Sequence, residues 1–377
     1  MPAEAPSSLQ RLSELGQSVW IDYLSRDLLE TGELARLVNE DAVVGVTSNP
    51  TIFQQALADG NAYDEQLRTL LASRLGAKDI FLELACADVA AGCDLLLPVW
   101  ERTGHLDGYV SIEVDPNFAY NTAAQYQEAQ RLHERITRPN LYVKIPATRA
   151  GVAAIEDSIA AGRSINVTLI FSIDRYVEVA RAYMKGLVRF RAAGGDVSTV
   201  HSVASFFVSR VDTETDGRLD AFGVPADLRG KLGIANAKLA YGRYRELFSP
   251  GNQLWAELVA AGAQPQRCLW ASTSTKNPEY RDVLYVEELI GPETVNTMPA
   301  ATLRAFRDHG RVAQTLEHGR VEAQRLLTRL AEVGIDYDNV VETLEAQGIE
   351  KFVAAFAKLL AGLEAKQQML EEPVAPR

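Results

Sequence analysis

Lys144 lies in NLYVKIPAT (140–148), a short strand-like run in which Tyr142, Val143, Ile145 and the Pro146-Ala147 pair surround one ammonium group. Removing that group from water costs several kcal/mol unless it is paired or neutralised. An edge strand whose amine reaches solvent is one solution. The other is chemical. An amine in an apolar, water-poor site favours its neutral form and becomes nucleophilic toward a carbonyl. The resulting iminium is an electron sink next to carbon, which suits carbon–carbon cleavage or condensation. Such a reaction needs a carboxylate to take a hydroxyl proton as the bond breaks, and an acid/base to move protons during imine formation. Asp22 in SVWIDYL and Glu113 in GYVSIEVD are available for those two tasks. Asn49 and Asn166 can hydrogen-bond the hydroxyls of a bound fragment, and Arg210 and Lys276 can grip a phosphate. For Arg210 the plainer alternative is a surface ion pair with Asp212 or Glu214; for Lys276 it is a solvated loop lysine.

These residues need elements to position them. Eight short apolar runs read as strands: 18–24, 42–48, 108–115, 140–147, 165–171, 202–210, 267–273 and 294–299. Longer amphipathic stretches separate them, among them RDLLETGELARLVNE, NTAAQYQEAQRLHERI, GVAAIEDSIAAG and SIDRYVEVARAYMKGLVRFRAAGG. Strands alternating with helices imply parallel pairing through crossovers. Eight such units predict an α/β chain folded as a single (β/α)8 TIM barrel over residues 1–377 with additional helices. A doubly wound sheet is the alternative, but no GxGxxG follows the first strand and no GxxxxGK[ST] occurs. After Pro299 the chain reads as helix to about Leu363, so residues 300–366 form a long C-terminal helical region packed on the barrel. Residues 1–8 and 367–377 read as flexible tails.

Successive strand residues point to opposite faces, so positions two apart share one. Thr47 and Asn49 do so at the end of the second strand, and Ser111, Glu113 and Asp115 on the third. Asn166 pairs in this way with Thr168, Ser205 with Phe207, and Ser272 with Ser274, while Lys144 and Asp22 stand at similar positions. A parallel barrel strand is buried on both faces and should be almost continuously apolar. Polar residues at the same stage of most strands therefore indicate one shared site, the C-terminal mouth of the barrel.

Bulk composition narrows the ligand. Thirty-eight basic against fifty acidic side chains give a net charge of −12, which disfavours nucleic acid and anionic membranes as partners. A small anionic substrate would need a local cationic pocket. The cysteines, Cys86, Cys93 and Cys268, form neither a disulfide framework nor a zinc pattern, and the five histidines are scattered with no HExxH. No metal or other cofactor is expected. MPAEAPSS lacks the features of a signal peptide, and no apolar run approaches the ~20 residues that span a bilayer, so the expected location is cytoplasmic.

With these residues in view, the chain resembles the transaldolases. GVTSNPTIF (45–53) looks like the family's first signature, and NLYVKIPATRAGVAAI (140–155) like the second, around its Schiff-base lysine. INVTLIFS, VASFFVSRVD and WASTSTKNP are similar to later strand ends of the family and occur in the expected order. The resemblance implies transfer of a dihydroxyacetone unit between sugar phosphates in the non-oxidative pentose phosphate pathway, by a monomer or homodimer. It implies that Lys144 forms the imine, that Asp22 takes the C4 hydroxyl proton, and that Glu113 with Thr168 activates the water of imine exchange. Asn49 and Asn166 would hold the dihydroxyacetone hydroxyls, with Thr47, Ser205 and Phe207 lining the same site, and Arg210 with Ser274 would hold the phosphate. One departure concerns Lys276, which aligns with an arginine in a well-known member of the family; a lysine cannot reproduce the guanidinium fork. The rivals are a fructose 6-phosphate aldolase, a shorter lyase with tyrosine where Phe207 aligns, a pyridoxal-phosphate enzyme using Lys144, and a non-catalytic sugar-phosphate-binding barrel.

Overall fold

The computed structural model describes residues 6–48, 50–73, 75–223 and 226–371. The eight expected strands all form: β1 (Gln17–Ile21), β2 (Val43–Thr47), β3 (Tyr109–Glu113), β4 (Leu141–Pro146), β5 (Ile165–Ile170), β6 (Ser202–Phe207), β7 (Arg267–Ala271) and β8 (Thr294–Met298). Each pairs in parallel with its neighbours in sequence order, and β8 closes on β1. The crossovers are helical, so this is a (β/α)8 barrel. Among the described residues no helix is long and apolar enough to cross a membrane.

Aromatic side chains fill the barrel interior below the mouth. The rings of Tyr109 and Tyr142 stack with centroids 4.0 Å apart, and Trp20 stacks on Tyr142 at 6.2 Å. Room for the indole comes from Gly45, its register partner on β2; a Cβ there would come within 2.3 Å of the ring. Beneath this layer Arg267 pairs with Asp107 at 2.9 Å. Asp107 also accepts hydrogen bonds from Ser18 at 2.7 Å and from the Trp20 indole at 2.9 Å. This buried, fully partnered ion pair plugs the N-terminal end and ties β1 and β7 to the turn before β3.

Several boundaries differ from the sequence reading; β1, for example, ends at Ile21 rather than 24. β6 stops at Phe207 rather than 210, because SRVDTETDGRLDA forms the helix Ser209–Ala221; Arg210 thus sits in that helix's first turn. The helical region after Pro299 is built of three helices, Ala300–His309, Arg320–Glu332 and Tyr337–Glu371. Glycines separate them. Gly334 (φ +89°) closes the second, with Ile335 N donating back to Leu330 O at 2.9 Å, the usual glycine stop. The expected tails are shorter where they are described. Ser7 caps the helix Ser8–Glu14 reciprocally with Gln10, and the last helix continues to Glu371.

That last helix matters most for the site. It packs on the helices Pro50–Asp59, Ala77–Arg102 and Ser209–Ala221, on the turn Pro116–Phe118 and on β5, and so lies across the C-terminal face of the barrel. Phe356 meets Phe81 edge-on at 5.5 Å, and Phe81 meets Phe53 at 5.2 Å. Lys366 donates to the carbonyls of Leu57 at 2.8 Å and Gly60 at 2.6 Å. Gly348 lets the helix approach the rim, since a Cβ would lie 3.2 Å from Leu169 and 3.4 Å from Phe171.

Because the indole of Trp20 occupies the space of the missing Gly45 side chain, Gly45→Ala should destabilise the protein by about 1–3 kcal/mol or more. Denaturant unfolding measures this, and a midpoint equal to wild type would refute the packing account.

Candidate active site

Lys144 and Glu113 are register partners on β4 and β3. Their side chains form an ion pair, and the Lys144 ammonium also donates to the Ser48 carbonyl at 3.2 Å. Lys144 is only 7% exposed. The sequence reading left its charge without a counterpart. The barrel supplies one from the adjacent strand.

The pair opens onto a cavity of about 270 Å³ at the C-terminal mouth. Asp22, Thr47, Glu113, Lys144, Thr168, Ser205, Phe207, Arg210, Ser274 and Lys276, all singled out from sequence, line it. Asn166 does not. It lies fully buried beneath, donating to Ser111 Oγ at 3.1 Å and accepting from Ser205 at 2.7 Å, so it braces the floor. Asn49 lies outside the described residues. Asp115, which the alternation rule put on the face of Glu113, is past the strand end, where it caps the turn Pro116–Phe118 and pairs with Lys78 at 2.6 Å.

Asp22 follows β1 directly, its amide donating to Met298 O at 3.1 Å. Burial pushes its carboxyl up to about 6, partly offset by the charges of Lys144 and Lys276. A carboxylate poised there suits a general base near neutral pH. Thr168 is aimed at the cavity by a break in β5: the β5–β6 register shifts between Val167 and Ile170, and Leu169 adopts φ +58°. Left-handed backbone at a branched residue stores strain of the kind found at functional sites. The Thr168 hydroxyl is buried without a partner among the described residues.

Arg210 is the second unsatisfied group. Its guanidinium stands over the Phe207 ring at 5.2 Å, one of its terminal nitrogens is buried without a hydrogen bond, and desolvation lowers its pKa. The two carboxylates that sequence offered as partners are engaged elsewhere. Asp212 accepts from Gly233 N at 2.6 Å and Tyr285 at 2.9 Å, and Glu214 pairs with Arg218 at 2.9 Å. Lys276 donates to Ser274 at 2.8 Å. Neither cation has a carboxylate partner among the described residues. The acidic protein thus carries the local cationic pocket that an anionic substrate requires.

Sequence reasoning missed part of the lining. Thr297 on β8, hydrogen-bonded to Thr47 at 2.9 Å, would have appeared had the alternation rule been extended to the eighth strand. Ser48, Ser272 and Pro299 are adjacent to the recognised strand ends. Lys351, Phe352 and Ala355 come from the C-terminal helix, and no local pattern distinguishes them from an ordinary amphipathic face.

The chain is similar to known proteins over most of its length. The family model described as Transaldolase/Fructose-6-phosphate aldolase matches residues 19–363. "Transaldolase 2" of Streptomyces avermitilis is 48% identical over 366 residues, covering 96% of this chain and 98% of its own. "Transaldolase" of Frankia alni is 50% identical over 355 residues, covering 93% and 95%. "Transaldolase" of Mycobacterium tuberculosis is 48% identical over 363 residues, covering 96% and 97%.

The raised Asp22 carboxyl has two measurable consequences. As a base it must be ionised, so kcat/KM should fall as pH drops through about 6. A folded value above the unfolded one means that the native state binds the extra proton between about pH 4 and 6, so stability declines as pH rises through that window. Asp22→Asn removes this penalty; at pH 7.5 it should raise unfolding stability by about 1–3 kcal/mol while turnover collapses. A variant no more stable than wild type at pH 7.5 would contradict the desolvation account.

Proposed function

The chain belongs to the transaldolase/fructose-6-phosphate aldolase family, and we infer that it is the transferase of that family, moving a dihydroxyacetone unit between sugar phosphates through a lysine Schiff base. The reading of the site rests on one observation: Lys144, paired with Glu113, opens onto the same cavity as Asp22 and the unpaired Arg210.

Glu113 takes a proton from the Lys144 ammonium, and the freed amine adds to the C2 carbonyl of fructose 6-phosphate or sedoheptulose 7-phosphate. The carbinolamine then loses water, which takes its proton from Glu113, the group in contact with the amine. The free hydroxyl of Thr168 is placed to hold that water. Asp22 accepts the proton of the C4 hydroxyl, the C3–C4 bond breaks, and its electron pair moves into the iminium. Glyceraldehyde 3-phosphate or erythrose 4-phosphate departs, and the enamine remains on Lys144 until a second aldehyde reverses the steps. Ser205, with Asn166 bonded beneath it, forms the floor under the dihydroxyacetone hydroxyls. Arg210, Ser274 and Lys276 receive the phosphate; Arg210 supplies the fork, while Lys276 contributes a point charge in place of a second one. Phosphorylated sugars cross membranes poorly, which supports a cytoplasmic site of action.

Borohydride reduction with fructose 6-phosphate should leave a stable adduct that peptide mass mapping assigns to Lys144, and Lys144→Ala should abolish it. An adduct elsewhere would overturn the assignment. Without an acceptor aldehyde the transferase should stall as its covalent intermediate. Release of free dihydroxyacetone on every turnover would instead identify the lyase.

A further inference from the structure

Beyond Lys144, Arg210 and Lys276, a fourth cation reaches the mouth from an element outside the barrel. Lys351 lies on the helix Tyr337–Glu371 and lines the same cavity as Arg210 and Lys276. An exposed helical lysine is usually solvated or paired with an acid one turn away. Neither partner is present on its own helix, where positions 347, 348, 354 and 355 are Gln, Gly, Ala and Ala. Among the described residues no carboxylate lies within 4.0 Å of its ammonium group.

The helix also fixes where Lys351 stands. Gly348, one turn before it, seats the helix against Leu169 and Phe171 at the end of β5. Phe352 covers a small hollow beside Lys144, Glu113 and Thr168, and Phe356, one turn on, is locked against Phe81. Lys351 is therefore held over the mouth, with only its flexible stem free to adjust. The cavity lining then carries four cations, Lys144, Arg210, Lys276 and Lys351, against the carboxylates Asp22 and Glu113. Positive charge is thus in excess around this cavity on a chain of net charge −12.

We propose that Lys351 is a specificity-determining residue that binds the phosphate group of the sugar phosphates, completing with Arg210 and Lys276 a three-sided cationic site closed by the C-terminal helix. This rests on the transaldolase reading above. A phosphate dianion has oxygens to satisfy on several sides, and Arg210, stacked on Phe207, can present its fork from only one. A lysine on the helix overhead approaches from another direction and can follow the phosphate as donors of different chain length occupy the cavity.

The test uses the full chain and inorganic phosphate as a competitive inhibitor against fructose 6-phosphate. Lys351→Met, which keeps the stem and removes the charge, should weaken phosphate inhibition about five-fold. It should lower by a similar factor the ratio of kcat/KM for phosphorylated over unphosphorylated donor, and Lys351→Arg should restore both. If Lys351→Met leaves phosphate inhibition unchanged while Arg210→Met weakens it, the inference about Lys351 fails and the phosphate site stands. Equal losses for phosphorylated and unphosphorylated donors would also overturn it, because they would mark a packing role. If neither variant weakens inhibition, the assignment of phosphate binding to this end of the cavity fails as well.

Discussion

The ion pair between Lys144 and Glu113 is the constraint around which the barrel is arranged. A buried ammonium is tolerated on β4 because β3 presents a carboxylate directly beside it. Removing one partner of such a pair leaves an uncompensated buried charge, a loss of ~3–5 kcal/mol. A one-residue slip of β3 against β4 would turn Glu113 to the opposite face and have the same effect. The register therefore has to be held from elsewhere. The stacked rings of Trp20, Tyr109 and Tyr142 and the Arg267–Asp107 plug do so from below, where they engage β1, β3, β4 and β7 together. The reactive pair sits above a layer that performs no chemistry, and that layer fixes its geometry.

From above, the C-terminal helix completes the enclosure. Its interior Gly348 weakens it as an isolated helix by about 1 kcal/mol relative to alanine, and a Cβ there would crowd Leu169 at 3.2 Å and Phe171 at 3.4 Å. The gain is a helix near enough for Phe352 to cover the hollow beside Lys144. The aromatic contact of Phe356 and the two carbonyls that bind Lys366 hold the same helix farther along. Excluding water on that side strengthens the electrostatic interactions of the mouth. Barrel and helix thus divide the work: strand ends supply the reacting groups, and the helix controls how wet they are.

Much of this was legible in the sequence, for a specific reason. Parallel barrel strands are buried on both faces, so polar residues such as Thr168, Ser205 and Glu113 stand out against Val, Ile and Phe, and the two-residue period assigns them to one side. The same rule faltered at strand ends, where the period stops. Asp115 was grouped with Glu113 but caps a turn, and Arg210 was placed on β6 but begins a helix. Asn166 has the right parity, yet its depth in the barrel engages its amide with Ser111 and Ser205. Lys351 and Phe352 could not be found in this way, because their role depends on where a helix lies across the mouth rather than on its own periodicity. The pairing of Lys144 was equally hidden. Nothing in NLYVKIPAT states that residue 113 is its neighbour; only strand register does.

The mouth concentrates features that oppose folding. Asp22 is a carboxylate that burial pushes toward its neutral form, and Arg210 is a desolvated guanidinium without a counter-ion among the described residues. Thr168 has an unpartnered hydroxyl, and Leu169 beside it holds a left-handed backbone. Each alone costs on the order of 1–3 kcal/mol. Toward the N-terminal end of the same barrel, by contrast, the charged pair is partnered: Asp107, Arg267, Ser18 and the Trp20 indole hydrogen-bond one another. What sets Asp22, Thr168 and Arg210 apart is that all three line one cavity. They are left open where a sugar hydroxyl, a water and a phosphate would each supply the missing partner, so ligand binding recovers at the mouth what folding leaves unsatisfied there.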